Sequence, residues 1–298
     1  MKTKSLTFAV MVSIIVVSLL CIWFYPSVQD YMESNNMWNG IKDFQSEFNA
    51  VNIDSLVDIA EPAQGGVLIA IPYLPYADQD LSRIKQFVDA GGVLMVMDDY
   101  GYGNSILARF GDNIRFSNKP LLDPLFSFKN QWLPRITDFS PEVKAAGVNV
   151  LMLNHATALT ITGEVNVAAW SSRASFLDLD ENESKGEQEP AGPFPIAASF
   201  VCGRGKVIAV SDPSSLINSM VGRDDNHAFW KYLMGNNADK ATIMIDRSHL
   251  GQTPLDVSKT RLAGARAVIA GPYGQLGIIA LIFIVLSRYM LKKGQTLV

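Results

Sequence analysis

The chain has 298 residues, 48% of them hydrophobic, a formal net charge of −4 and a mean hydropathy of +0.15. That length supports one large core with appendages, and the hydropathy is high for a fully soluble chain. Two cysteines are too few to build a disulfide framework, and an acidic balance argues against a nucleic-acid partner.

Two segments carry the excess hydropathy. Ser5 to Tyr25 (SLTFAVMVSIIVVSLLCIWFY) is uncharged and long enough to cross a bilayer as a helix. It exceeds a signal-peptide core and is followed by no small-residue cleavage site, and Leu20 just before Cys21 disfavours lipoprotein processing. We read residues 5–25 as an uncleaved anchor. Lys2 and Lys4, in residues 1–4, hold the amino terminus in the cytoplasm. Ala267 to Leu286 is the second apolar run, with Gly271-Pro272 expected in its first turns, where proline costs a helix least. The second span is placed at residues 267–287. Its own flanks are ambiguous, since Lys259, Arg261 and Arg266 precede it, so its orientation follows from the first. The tail 288–298 carries Arg288, Lys292 and Lys293. The expectation is a cell-membrane protein with two spans, both termini cytoplasmic and the centre extracytoplasmic. All 29 acidic residues and 20 of the 25 basic ones lie between the runs, giving the central region a net charge of −9.

Residues 26–49 read as a broken amphipathic stalk, with Tyr31, Trp38, Ile41, Phe44 and Phe48 among its apolar positions. Residues 50–246 read as one α/β domain, closed by a return linker at 247–266. Ile53 to Ala60 is a short strand or turn ending at Glu61-Pro62. Val67 to Ile71 (VLIAI) and Val93 to Met97 (VLMVM) are strands buried on both faces, parallel and joined by a helix capped at Asp78 or Asp80 and ended by Gly91-Gly92. Asn104 or Ser105 caps a short helix through Phe110. Short strands are expected at Ile114–Phe116, Val148–Leu153 and Leu159–Ile161, the last two around a turn at Asn154. Further strands are expected at Val165–Ser171 and Ser175–Leu179. Asp178 to Pro195 is a polar hairpin loop. Ile196–Val201 and Lys206–Val210 form a tight hairpin, Ser211 to Ser215 opens a helix, His227–Met234 is amphipathic, and Ala241–Ile245 is a last strand. The fold class is therefore α/β: a mixed, mostly parallel sheet with helices on both faces.

Three stretches are more specific: FVDAGGVLMVMDD, the elbow YGYGNSILARFG, and GRGKVIAVSDPSSLINSM followed by DDNHAFWKYL. Together, over roughly residues 50–240, they resemble an uncharacterised family of prokaryotic membrane proteins. That family has a class I glutamine-amidotransferase-like, flavodoxin-like ectodomain, similar to accessory domains of gliding-motility-type ABC transporters and to intraflagellar-transport proteins. The resemblance implies the fold and membrane association, and no activity.

A glutamine amidotransferase needs a cysteine on a strand-to-helix elbow, activated by a histidine that a carboxylate orients. The elbow here has Asp98, Asp99 and Tyr100 and no cysteine. Cys202 lies in a strand-to-strand turn, and His155, His227 and His249 have no companion pattern. No Cys-His-Glu triad is found, so the chain is expected not to be an enzyme. Asp98 and Asp99, with Tyr100, Tyr102 and Asn104, could bind a ligand at the sheet edge, where Asp212 could converge with one aspartate. The glycines of the elbow lack the third glycine of a dinucleotide fingerprint. Asp178, Asp180, Asn182 and Glu189 fall at calcium-loop positions, but Glu183 replaces the needed glycine. Asn182-Glu183-Ser184 is also a glycosylation sequon. No cofactor is expected. The function expected is a non-catalytic accessory or scaffold subunit of a transport or envelope complex, with other membrane or extracytoplasmic proteins as partners. The alternative is an extracytoplasmic binding or hydrolytic domain that uses the aspartate and tyrosine loop.

Overall fold

Val67 to Ala70 and Leu94 to Met97 are covered on both faces, as their unbroken apolar sequence requires. The computed structural model describes residues 2–59, 65–111, 113–235 and 242–294. They form two units: Val28–Gly251, and a second drawn from the chain ends, up to Ser27 and from Gln252. The strands are β1 (Val51–Ile53), β2 (Val67–Ala70), β3 (Val93–Met97), β4 (Ile114–Phe116), β5 (Leu121–Leu122), β6 (Arg135–Ile136), β7 (Asp138–Phe139), β8 (Leu151–Met152), β9 (Leu159–Ile161), β10 (Asn166–Trp170), β11 (Phe176–Leu177), β12 (Pro195–Cys202), β13 (Gly205–Val210) and β14 (Ile243–Asp246). The helices are α1 (Lys2–Phe24), α2 (Lys42–Phe48), α3 (Asp78–Asp89), α4 (Gly103–Leu107), α5 (Pro141–Ala145), α6 (Asn226–Met234), α7 (Pro254–Ala270) and α8 (Pro272–Gly294).

Eight strands form one mixed sheet in the order β1-β14-β2-β3-β13-β12-β10-β7. The first five are parallel and the last three add antiparallel pairs. Along β2 the residues alternate between two cores. Val67 and Ile69 face one that holds Phe44, Phe229 and Trp230, from α2 and α6. Leu68 and Ala70 face another that holds Leu81, Ile84, Phe87 and Val88 of α3. Helices therefore cover both faces, as expected. Counted along the chain, the parallel strands run 1-5-2-3-4, which differs from the 2-1-3-4-5 order of a flavodoxin-like sheet. The burial pattern gives the reason. β14 is buried at every position and needs a neighbour on each side, whereas Val51 of β1 is exposed and suits an edge.

Several local expectations change. The first helical turn of α3 contains Asp78 and Asp80, but its N-cap is Ala77 and no side chain caps it. The N-cap of α4 is Tyr102, not Asn104 or Ser105. β8 and β9 do not pair around Asn154: β8 pairs with β6 and β9 with β4. The segment expected as a stalk is helical only over α2, and Tyr31, Ile41, Phe44 and Phe48 pack inside the larger core. Trp38 remains exposed. Ala60, Glu61, Pro62 and Ala241 lie outside the described residues.

In the other unit, Leu6–Phe24 of α1 is long and apolar enough to cross a membrane, with a mean hydropathy of 2.6. The second apolar run is not one straight helix. It divides at Gly271 into α7 and α8, which bend by 70°. Proline at the first position of α8 lacks an amide and disfavours helical geometry at the residue before it, so the helix ends there. The described residues thus contain one membrane-crossing candidate, or two if the bent pair acts as a single span. Arg266 lies over the Trp23 ring at 5.6 Å, and the Lys259 ammonium donates to the Tyr25 carbonyl.

Candidate functional site

The carboxyl ends of β3 and β13 carry the sequence candidates, and Asp98 comes first along the chain. It is buried, and its two oxygens accept the amides of Gly101 (2.8 Å) and Gly103 (2.6 Å). A Cβ on Gly101 would lie 2.6 Å from the Pro72 carbonyl oxygen, and one on Gly103 would lie 2.7 Å from Asp98 Oδ2. The two glycines therefore let the chain wrap tightly around a carboxylate; they do not cradle a phosphate. Burial pushes the Asp98 carboxyl up to about 6, against the pull of the two amides. Asn104 is also structural, because its side-chain amide exchanges two bonds with the Phe116 backbone. Tyr102 is exposed, and its amide donates to the Pro72 carbonyl.

The remaining candidates, Asp99, Tyr100 and Asp212, belong to a closed circuit of contacts that the sequence did not reveal. Tyr73 Oη donates to Tyr31 Oη at 3.5 Å, the rings being 5.7 Å apart. Tyr31 Oη lies 3.1 Å from Ser214 Oγ. Two residues earlier, Asp212 Oδ2 accepts the Asn154 amide at 2.7 Å. Next to Asn154, His155 has a φ of 60° and stacks on Trp132 at 4.6 Å. Tyr100 Oη then donates to the Ala156 carbonyl at 3.4 Å, and the Tyr100 amide bonds Asp99 Oδ1 at 2.6 Å. The bond from Tyr102 to Pro72 returns the circuit to Tyr73. Phenols, carboxylates and carbonyls thus gather at the carboxyl edge of the sheet, the edge whose crevice binds ligands in open α/β sheets.

Its electrostatics are acidic. Asp212 is fully buried at the N-terminus of the turn Pro213–Leu216, whose Ser214 and Ser215 amides approach its carboxylate. Burial pushes its carboxyl well up; the Asn154 amide opposes this and the Asp99 charge adds to it. Burial also raises Asp99, against the Tyr100 amide and the His155 ring. The Tyr100 phenol is raised by burial and then by Asp99, Asp212, Glu181 and Asp178. Beside these acids, the Lys119 ammonium is taken by Glu181 at 3.2 Å.

Two further clusters of titratable groups are present among the described residues. Asp178, Asp180 and Glu189 offer oxygens within 4.8 Å of one another. Backbone amides already hold two of the three: Asp178 accepts from Asn182 and Glu183, and Glu189 from Leu179 and Gly186. Asn182 bonds Asp180 and the Ser184 amide. The second cluster was missed in the sequence. Asp246, at the end of β14, accepts from Tyr76 (2.6 Å) and Ser248 (2.6 Å) and lies 2.7 Å from His249 Nδ1. The D-x-S-H spacing was the available signal, but Tyr76 lies 170 residues away. The imidazole is stacked on Tyr76 and is 8% exposed, so this histidine–carboxylate pair is a packed joint.

Fold and site together define an α/β domain with acidic and aromatic residues gathered at the carboxyl edge of a mixed sheet. Residues 34–234 match the family model described as domain of unknown function DUF4350, and the chain belongs to that family. No curated protein matches it. Among solved structures it is similar to the mmIFT52 N-terminal domain, at 13% identity and a TM-score of 0.48 over 66% of this chain and 91% of that one. It is also similar to cytoplasmic protein STM3548 from Salmonella typhimurium, at 12% identity and a TM-score of 0.32 over 58% and 74%. A third is the beta-galactosidase Gan42B from G. stearothermophilus, in a catalytic mutant, at 15% identity and a TM-score of 0.31. That match covers 54% of this chain and a fifth of the galactosidase (20%).

Proposed function

We propose that the protein is a membrane-anchored, non-catalytic recognition domain that serves as an accessory subunit of a membrane complex, with the carboxyl edge of the sheet as its binding site. The observation that carries this reading is the closed circuit from Tyr73 through Tyr31, Ser214, Asp212, Asn154 and Tyr100, which gathers binding groups from separate stretches of the chain at one edge. The elbow after β3 holds aspartates and tyrosines where an amidotransferase-like enzyme would place its nucleophile, and we read it as a degenerate elbow kept for recognition. α1 and the bent pair α7–α8 act as two spans, with both termini in the cytoplasm and the α/β domain outside; Lys2 and Lys4 before the apolar run of α1 support that orientation. Two measurements test the reading. Purification in mild detergent is expected to retain a membrane or extracytoplasmic partner, and a solitary monomer would count against the accessory role. A thermal-shift screen of the full chain against sugars, nucleotides and cations is expected to give a hit that Tyr73→Ala removes. A hit that Tyr73→Ala leaves intact would place binding elsewhere.

A further inference from the structure

We propose that the groove between α1 and α7 binds one anionic phospholipid, with an acyl chain along the groove and the phosphate held by Arg266; this rests on the reading of α1 as a membrane span. The groove has a volume of about 690 Å³. Sites that take one small molecule run to roughly 300–1,000 Å³. On α1 the groove is lined by Val16, Leu20 and Trp23, and on α7 by Leu262, Ala265 and Ile269. Both sets recur at spacings of three and four, so each is one stripe along its helix. Val16 to Trp23 covers about 10 Å of helix, an elongated shape that suits a hydrocarbon chain. Ala265 keeps the space open where a larger side chain would fill it, and Leu20 and Ile269 remain exposed. In a bilayer an unfilled gap between two such stripes forfeits dispersion contacts, so hydrocarbon is drawn in.

The charge at the mouth of the groove selects the lipid. Arg266 belongs to the lining, and its guanidinium lies 5.6 Å over the Trp23 ring. No carboxylate among the described residues forms an ion pair with it. Trp23 is one residue from the end of α1, and indole rings favour the level of the lipid headgroups. A guanidinium stacked there presents its fork to a phosphodiester, which it matches with two parallel hydrogen bonds. The Lys259 ammonium, at the Tyr25 carbonyl, adds a second cation at the end of α1. α7 carries Lys259, Arg261 and Arg266 against one acid, Asp256, which Thr253 already bonds. This field favours a lipid with net negative charge over one whose choline group would meet the same cations. A second copy of α1 would cover the apolar stripes but brings no acidic residue to Arg266. An unpaired cation within a membrane is costly, so the phosphate is the better occupant.

The test uses the full chain, extracted from membranes in mild detergent and stripped of native lipid. Native mass spectrometry counts the lipid bound, and the intact mass shows whether α1 is retained. The probes are phosphatidylglycerol, phosphatidylcholine and diacylglycerol, with inorganic phosphate as competitor. One phosphatidylglycerol per chain is expected to bind, with phosphatidylcholine and diacylglycerol each about tenfold weaker or more. Inorganic phosphate is expected not to displace it. Arg266→Gln is expected to weaken phosphatidylglycerol by about tenfold, down to the level of diacylglycerol. Ala265→Phe, which fills the groove, is expected to weaken both lipids alike. Melting temperatures check that the variants fold. Equal binding of phosphatidylcholine or diacylglycerol, or an Arg266→Gln chain that folds and binds phosphatidylglycerol normally, overturns the proposal. A lipid-free monomer or dimer overturns it too. In each of these cases a chain that retains α1 and needs detergent for extraction leaves the membrane reading in place. A chain that lacks α1 overturns both.

Discussion

The His249 imidazole lies face to face with the Tyr76 phenol, ring centroids 3.5 Å apart, and both side chains bond the same Oδ2 of Asp246. The pair joins the end of β14 to the loop that precedes α3, reinforced by the Leu74 amide donating to the His249 carbonyl. Burial alone would raise the Asp246 carboxyl, but the bonds from His249, Ser248 and Tyr76 together hold it below its ordinary value. A depressed native value means that the unfolded chain binds the proton first on acidification. The joint therefore stabilises the fold above the usual carboxylate range, and this contribution is lost as pH falls through the native value.

His249→Ala is expected to cost about 2–3 kcal/mol at neutral pH, because it removes one partner of a buried carboxylate. Thermal melts at pH 7 and pH 3 check this: the gap between wild type and variant is expected to be wide at pH 7 and narrow at pH 3.

Asp98 has the opposite sign. Its native value is raised to about 6, so between its unfolded value near 3.8 and about 6 the native state holds more protons than the unfolded one. Its contribution to stability is full below that window and falls as pH rises through it, by at most about 3 kcal/mol. Asp98→Asn is expected to flatten the stability profile between pH 4 and pH 6. It also loses one acceptor for the two glycine amides, so the variant should melt below wild type at pH 4. Gly103→Ala tests the wrapped elbow separately. Its Cβ would meet Asp98 and Phe116 at 2.7 Å, and a loss of about 1–3 kcal/mol is expected.

How far these features could be read in advance depended on how local their causes are. The strands VLIAI and VLMVM announce their burial in five residues each, and β4 and β9 fall where their patterns placed them. The insertion of β14 between β1 and β2 was not legible, because it follows from which edges are left bare once the sheet assembles. Asp98 and Asp99 look equivalent in sequence. Only the path of the following loop turns one carboxylate inward to two amides and leaves the other at the sheet edge. The Tyr31–Ser214 contact spans 183 residues and the Tyr76–Asp246 bond 170, distances at which no spacing rule operates. The bend at Gly271 is locally readable: the sequence pattern puts Pro272 in an early turn of one helix, whereas it starts a new helix.

The loop after β11 gives a prediction about metal. Asp178 is fully buried, and each of its oxygens accepts a backbone amide, from Asn182 at 3.1 Å and Glu183 at 2.9 Å. The loop's own amides supply the positive ends that a calcium ion would otherwise provide. Chelation is therefore expected to leave the melting temperature unchanged, whereas Asp178→Ala strands two amides and should cost about 1–3 kcal/mol with or without calcium. A melting temperature that rises with calcium in wild type and not in Asp180→Ala would assign the cluster to a metal instead.

The same loop is the best reporter of topology. Ser184 is exposed, and its neighbours in the loop are polar, so a cysteine there should not disturb the fold. The native thiols serve less well: Cys21 lies within α1, and Cys202 is only partly open at the end of β12. In a Cys21→Ser, Cys202→Ser background, Ser184→Cys is expected to react with a membrane-impermeant maleimide in intact cells. Labelling that requires lysis would reverse the orientation assigned to α1 and place the α/β domain on the cytoplasmic side. Labelling in intact cells also bears on α7 and α8. If the bent pair completes a second span, a tag fused after Val298 should be protected from external protease in cells where Ser184→Cys is labelled. If the pair lies on the outer surface, both the tag and the cysteine should be reached.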